Sequence, residues 1–162
     1  MDERLVTAVI PLTGALRLPD LLEFRGRRYI RKSELHVTIV GSRGKLDASA
    51  QFEAARRVRF EVKRTGFFRI ARKDDRRSLI EMVEVAGLEQ YCVELERALR
   101  LRRGEIPRPP THVTYFTEKA GGRGIKLSTV VELEHLSTAI ADAAEIKALR
   151  KATAPAWRRA RG

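Results

Sequence analysis

The 162-residue chain contains a single cysteine, Cys92, which excludes an internal disulfide and a cysteine-built zinc site. No apolar run approaches the ~18 residues that a membrane helix needs, which excludes a helical span. The opening residues, Met1-Asp2-Glu3-Arg4, lack the basic, apolar, small-residue order of a secretory signal. There is no low-complexity tract and no repeat of solenoid length. Histidine is scarce, with three in the chain, so any pattern among the three carries weight. At 43% hydrophobic the chain has enough apolar surface for one core, which excludes wholesale disorder. These absences lead us to expect a soluble cytoplasmic protein of one domain.

What is abundant is positive charge. Thirty-three Lys and Arg against 21 Asp and Glu leave a formal charge of +12, which suits a polyanionic partner, most simply nucleic acid. The excess is mostly arginine, a skew that a GC-rich genome also produces without selection for binding. Arg25, Arg27, Arg28, Arg31 and Lys32 form a basic run with no acid in it. Ten basic residues between Arg56 and Arg77 face Glu61, Asp74 and Asp75. The two segments form one phosphate-facing patch if they meet in space, and separate solvated faces if they do not.

Leu5 to Leu12 is β-branched and apolar and reads as a strand closed by Pro11. Leu16 to Phe24 reads as a short helix with Pro19 in its first turn and Gly26 as its breaker. Leu35 to Val40 is a second strand. Asp47 is a cap for a helix over Ala48 to Arg57, with Phe52, Ala55 and Val58 on its inner face. Val58 to Val62 and Gly66 to Ile70 read as paired strands, followed by a strand over Ser78 to Val85. Gly87 opens a helix whose Leu88, Tyr91, Cys92, Leu95, Ala98 and Leu99 make one apolar stripe, ended by Gly104. Pro107, Pro109 and Pro110 lead stiffly into a strand over Thr111 to Phe116. Thr129-x-x-Glu132 is a capping box that opens a helix running to about Lys151. The expected layout is one domain over residues 1–153 and a frayed basic tail over 154–162.

His36-Val37-Thr38 and His112-Val113-Thr114 are the same tripeptide, 76 residues apart, and use two of the three histidines. Both lie in strand-like runs, where residues i and i+2 share a face. Each His therefore projects with its Thr, and each Val projects into a core. Two imidazoles titrating near neutrality can serve as general base and general acid in one reaction. Two hydroxyls can donate to phosphate oxygens and stabilise charge in the transition state. In-line phosphoryl displacement needs the acid and the base on opposite sides of phosphorus. A metal centre is the rival use of two His, but Glu34 is the sole acid within two positions of either, so the pattern fits acid–base chemistry better. We expect no metal and no cofactor.

Two His-x-Thr motifs half a chain apart resemble the signature of the two-histidine (2H) phosphoesterase superfamily, and specifically its bacterial RNA 2′,3′-cyclic phosphodiesterases, also called 2′-5′ RNA ligases. Arg28-Tyr29-Ile30 ahead of Glu34-Leu35-His36-Val37-Thr38 resembles the family's aromatic-then-motif segment, where Trp is more usual than Tyr29. Gly66-Phe67-Phe68 resembles its Gly-x-Phe strand. Pro110-Thr111-His112-Val113-Thr114 resembles its second motif with a Thr inserted after the Pro. The resemblance implies an α+β fold of two lobes, each a small antiparallel sheet with helices outside, facing across a groove and related by a pseudo-two-fold axis. It implies metal-independent opening of a 2′,3′-cyclic phosphate, on RNA or a nucleotide, to a 2′-phosphate. His36 and His112 would then be the base and acid, in an order the sequence leaves open, and Thr38 and Thr114 would bind the phosphate.

Tyr29 and Phe68 are candidates to stack on a base, and Arg123, in a glycine-rich loop, is a candidate phosphate clamp. Packing is the competing use of both aromatics. His135-Leu136-Ser137 imitates the motif but lies in a helical pattern, where i and i+2 do not share a face. Cys92 is expected as a buried hydrophobe, and Trp157 either docks on the body or contacts RNA. The expected partner is RNA or a nucleotide ending in a 2′,3′-cyclic phosphate, bound by a monomer. The alternatives are an RNA-binding module with little or no catalysis, a 2H enzyme acting on another cyclic or 2′-5′-linked nucleotide, and a ligase running the same chemistry backwards.

Overall fold

The computed structural model describes residues 8–40, 48–119, 122 and 124–158. Asp47, the expected helix cap, lies outside them. In chain order the strands are β1 (Ala8–Leu12), β2 (Leu21–Phe24), β3 (Arg27–Arg31), β4 (Leu35–Val40), β5 (Glu61–Lys73), β6 (Arg76–Ala86), β7 (His112–Thr117) and β8 (Ser137–Ala139). The helices are α1 (Ala48–Arg56), α2 (Leu88–Ala98), α3 (Val130–Leu136) and α4 (Ala143–Thr153). The class is α+β. No described helix is long and apolar enough to cross a membrane.

The described strands make one antiparallel sheet in the order β1-β4-β7-β6-β5-β8, with the β2–β3 hairpin attached to β7 through β3. This corrects the expectation of two small sheets facing one another: the two motif strands are neighbours in a single sheet. The sheet forks beside β7. Ile30 and Arg31 pair with Thr117 and Phe116, while Val37 pairs with Val113. Both segments lie on the same side of β7, so the residues between them are too many for the register. Lys32 keeps a backbone bond to Tyr115 O (2.8 Å), and Ser33 and Glu34 bulge outward.

Several expected elements take another form. The helix over Leu16 to Phe24 is a 3-10 turn (Ala15–Arg17) followed by β2. Pro19 forces Leu18 into extended backbone, with ψ 152°, and so ends the turn instead of starting a helix. Arg25 and Gly26, with φ of 51° and 74°, form the tight turn of the β2–β3 hairpin. The two short strands around Gly66 are one long β5, bulged between Arg64 and Phe67, and its partner is β6. Gly66 takes φ 74° at the bulge, the conformation that spares glycine the Cβ clash. In α1 it is Gln51 and Ala54 that are buried, whereas Phe52 is 65% exposed. Helix α2 ends at Ala98, short of Gly104, because Arg100 adopts the left-handed conformation and Leu101 N–H bonds back to Glu96 O. The capping box forms, with Thr129 Oγ1 accepting from Glu132 N–H at 3.1 Å. The helix it opens stops at Leu136, because the edge of β5 takes residues 137–139 as β8. Asp142 then caps α4.

The main core lies on one sheet face and includes Tyr29, Leu35, Val37, Ile39, Phe68, Val83, Tyr91, Cys92, Leu95, Val113 and Tyr115. Cys92 is fully buried, as expected, and burial pushes its thiol up to about 11. A smaller cluster on the opposite face joins Ala71, Ile80, Ile125 and Leu127.

The core side carries a buried carboxylate in the sheet, Glu81, with no exposed surface. Its oxygens accept from Arg64 Nε (3.1 Å), Gly66 N–H (2.9 Å) and the Tyr115 hydroxyl. Trp157 Nε1 donates to that hydroxyl at 2.8 Å, and Ala156 is buried against Gly14. The described part of the C-terminal tail is therefore docked as a 3-10 turn (Ala154–Trp157), not frayed. Removing one member of a buried charge pair strands the other without a partner. Arg64→Met is expected to lower the free energy of unfolding by about 3 kcal/mol. Urea unfolding measures it, and a loss under about 1 kcal/mol contradicts a charged Glu81 in this position.

Candidate active site

Val37 and Val113 are directly paired on β4 and β7 and are both fully buried. Antiparallel pairing through this point sets position 36 against 114 and position 38 against 112. An antiparallel ladder also sends successive side chains to opposite faces. With both valines in the main core, His36, Thr38, His112 and Thr114 all emerge on the other face. They line one cavity of about 260 Å³, together with Lys32, Glu34, Pro109, Gly124, Ile125, Lys126, Leu127 and Ser128. The two motifs do converge, side by side across a strand pair.

The floor of the cavity is the sheet and its wall is segment 124–128. Ile80 and Met82 of β6 pair with Thr114 and His112, so they share the site's face. Ile80 packs on Ile125 and Leu127 in the smaller cluster. This anchors the wall by two apolar residues with Lys126 exposed between them. Gly124 closes against the motif, since a Cβ there would stand 3.3 Å from Thr114 Oγ1. Lys32 Nζ donates to Gly122 O at 2.9 Å, tying the fork of the sheet to the same loop.

The two imidazoles differ. His112 is set deeper, and its Nδ1 lies 3.2 Å from Pro110 O. A carbonyl only accepts, so Nδ1 carries the proton and Nε2 is the basic nitrogen of the neutral ring. The prolines before β7 hold that carbonyl in place. Burial lowers the pKa of His112, the Pro110 bond opposes this, and the neighbouring His36 lowers it further. His36 is exposed at the rim. Its pKa is lowered by partial burial and by Lys32, against the opposing pull of Glu34.

Other expected contributors fall elsewhere. Tyr29 and Phe68 are 2% and 1% exposed, so neither can offer a face to a base. Tyr29 sits in the β2–β3 ladder against Leu22, and Phe68 packs with Tyr115 at a ring separation of 6.5 Å. The Gly66 bulge turns Phe67 outward instead. Arg123 lies outside the described residues. His135 ends α3 and does not line the cavity. The two basic segments do meet: Arg27 and Arg77 approach the same carboxylate, Glu118, at 3.0 and 3.9 Å. Lys32, Lys126 and Ser128 were not singled out as site residues from the sequence. The alternation Ile125-Lys126-Leu127-Ser128 was the available signal for the last two. Among the described residues no group of three or more His, Cys, Asp or Glu is placed to hold a metal ion.

Comparison of the chain with family models, with curated proteins and with solved structures returned no match.

Both lowered pKa values are open to measurement. In NMR titration of the free protein, His36 and His112 are expected to titrate below the ordinary 6.5. Lys32→Gln should raise the His36 value and leave His112 nearly unmoved. A His36 unchanged by Lys32→Gln contradicts the electrostatic contact between them.

Proposed function

We propose that this chain is a metal-independent phosphodiesterase that opens 2′,3′-cyclic phosphates of RNA ends or nucleotides to 2′-phosphates. The observation that carries the reading is the Val37–Val113 pairing, which brings two imidazoles and two threonines to one cavity. The resemblance of both motifs to those of the 2H phosphoesterases supports it. So do Lys32 and Lys126 at the cavity, which suit an anionic substrate. The two-lobed, pseudo-two-fold organisation belongs to the same proposal. Its support is the local two-fold of the antiparallel β4–β7 pair, which relates one tripeptide to the other.

The geometry favours His112 as the base for hydrolysis. Its Nδ1–H is committed to Pro110 O, so Nε2 is free to take a proton. His36, at the open rim, is the acid. A water oxygen attacks phosphorus as His112 Nε2 takes its proton. The bond from phosphorus to the ribose O3′ breaks, and His36 gives O3′ its proton. The product is a 3′-hydroxyl and a 2′-phosphate. Thr38 and Thr114 donate to the non-bridging oxygens as charge builds there. The reverse reaction uses the same two groups with roles exchanged.

The first test is hydrolysis of 2′,3′-cyclic AMP, and of a short RNA ending in the same group, in excess EDTA. Release of a 2′-phosphate should fall on the order of 10²-fold or more in His36→Ala and in His112→Ala. Full activity in either variant overturns the paired mechanism.

The base must be neutral, so activity rises with pH through its pKa. The acid must be protonated, so activity falls with pH through its own. Both values lie below 6.5 in the free protein, so kcat/KM should describe a bell centred on the acid side of 6.5. The kcat bell should lie at higher pH, because a bound phosphate anion favours both imidazolium forms. A kcat/KM optimum above pH 8 rules this assignment out. Gly124→Val should lower kcat on the order of tenfold by pressing on Thr114, with thermal stability little changed.

A further inference from the structure

The proton on His112 Nδ1 depends on one carbonyl, that of Pro110. Pro109 and Pro110 have no N–H to donate, so hydrogen bonds of their own cannot set where that carbonyl points. Its position is set by the residues on either side, Thr111 and Arg108.

Thr111 is the residue by which this chain departs from the motif that it resembles. It lies opposite Val83, one step beyond the Met82–His112 pair of the β6–β7 ladder. Val83 N–H donates to Thr111 O at 3.0 Å. In a regular antiparallel ladder the return bond would run from Thr111 N–H to Val83 O. Here the Thr111 hydroxyl takes that acceptor, at 2.6 Å. The peptide joining Pro110 to Thr111 is thereby released from the ladder, and its carbonyl is the one that His112 Nδ1–H reaches.

Arg108 holds the other side. Its Nη1 donates to Glu96 Oε2 at 2.7 Å and to Ile106 O at 2.6 Å, and its Nε and Nη2 donate to Glu89 at 3.0 and 3.1 Å. Glu96 is 2% exposed and also accepts from Gly104 and Ile106 N–H, at 2.9 Å each. Arg108 is therefore fixed to α2 two residues before Pro110, and the buried Pro109 between them lines the cavity.

We infer that Thr111 and Arg108 are positioning residues, which hold the Pro110 carbonyl on His112 Nδ1 from both sides and so fix the tautomer that leaves Nε2 to take a proton. The inference rests on the proposed phosphodiesterase reading for its catalytic consequence. With the proton on Nε2 instead, the ring would turn two acceptors, Nδ1 and Pro110 O, toward one another and offer no base to the cavity.

The test begins without substrate. At a pH where His112 is neutral, imidazole nitrogen NMR shifts should show Nδ1 protonated in the wild type. Thr111→Val keeps the shape and removes the hydroxyl. It should bring in the Nε2–H tautomer and lower the His112 pKa, because the Pro110 bond is what raises it. The charged and titratable groups that face the cavity with it, Lys32, Glu34, His36 and Lys126, are the same in both proteins, so the change reports the carbonyl. Thr111→Ser returns the donor and should return the wild-type shifts. Arg108→Lys keeps the charge beside Glu96 but cannot make the fork, and should move His112 in the same direction by less. With 2′,3′-cyclic AMP, Thr111→Val should lower kcat on the order of tenfold, change KM less than about twofold, and move the acid limb of kcat/KM to lower pH. An unmoved His112 in one variant removes that residue from the clamp; unmoved in both, even if both melt earlier, it overturns the inference and leaves the two-histidine reading standing. Wild type that shows the Nδ1–H tautomer and the Thr111 effect but turns over no cyclic phosphate overturns that reading and leaves the clamp standing.

Discussion

One backbone pairing organises the candidate site. Val37 against Val113 is the single register point recorded between β4 and β7, and the site follows from it. Side chains in a strand alternate strictly, so a slip of one residue in either strand would send its His and Thr into the core. Two fully buried valines resist that slip, because the exchange would bury an imidazole and a hydroxyl and expose apolar surface. The face that carries the candidate site is thus specified by the core face behind it.

That pairing is supported from both sides. Behind it, Tyr115 reaches Glu81, and Glu81 holds the bulged β5 through Arg64 and Gly66. The same tyrosine accepts from Trp157, so the C-terminal turn is tied to the strand that carries the second motif. In front, Ile125 and Leu127 pack on Ile80 and hold the cavity wall against Thr114. Both faces of β7 are therefore braced at the residues next to His112 and Thr114. A site that must hold two proton-transfer groups in line needs this kind of support.

On the proposed reading, the electrostatics suit an anionic substrate. Lys32 and burial keep the imidazoles away from their charged forms, and Lys32 and Lys126 offer positive charge at the cavity. A phosphate of the proposed substrate would neutralise the cations and draw protons onto the rings. Much of the remaining positive charge is already answered: Arg25 by Glu145, Arg31 by Asp20, Arg27 by Glu118. The overall +12 already counts those acids and says nothing of where the excess lies, so the placement of Lys32 and Lys126 is the better guide to the site.

The tripeptide His-Val-Thr, repeated in two strand-like runs, was legible in the sequence because alternation is a local rule. It dictates that each His and Thr share a face, and it named His36, Thr38, His112 and Thr114. The burial of Cys92 and the capping box at Thr129 were legible for the same local reason. For Tyr29 and Phe68 the sequence offered both stacking and packing, because which an aromatic does depends on what covers it, and here the main core does. Leu16 to Phe24 reads as a helix by composition, yet β3 takes residues 21–24 as a hairpin partner. Residues 137–139 leave the expected helix because the edge of β5 offers them ladder hydrogen bonds. The sequence alone determined which side chains travel together along each strand. Only the tertiary structure decided that the two strands are neighbours, that segment 124–128 walls them in, and that the sheet forks at Lys32. Those outcomes turn on contacts between residues distant in the chain, and no local pattern encodes them.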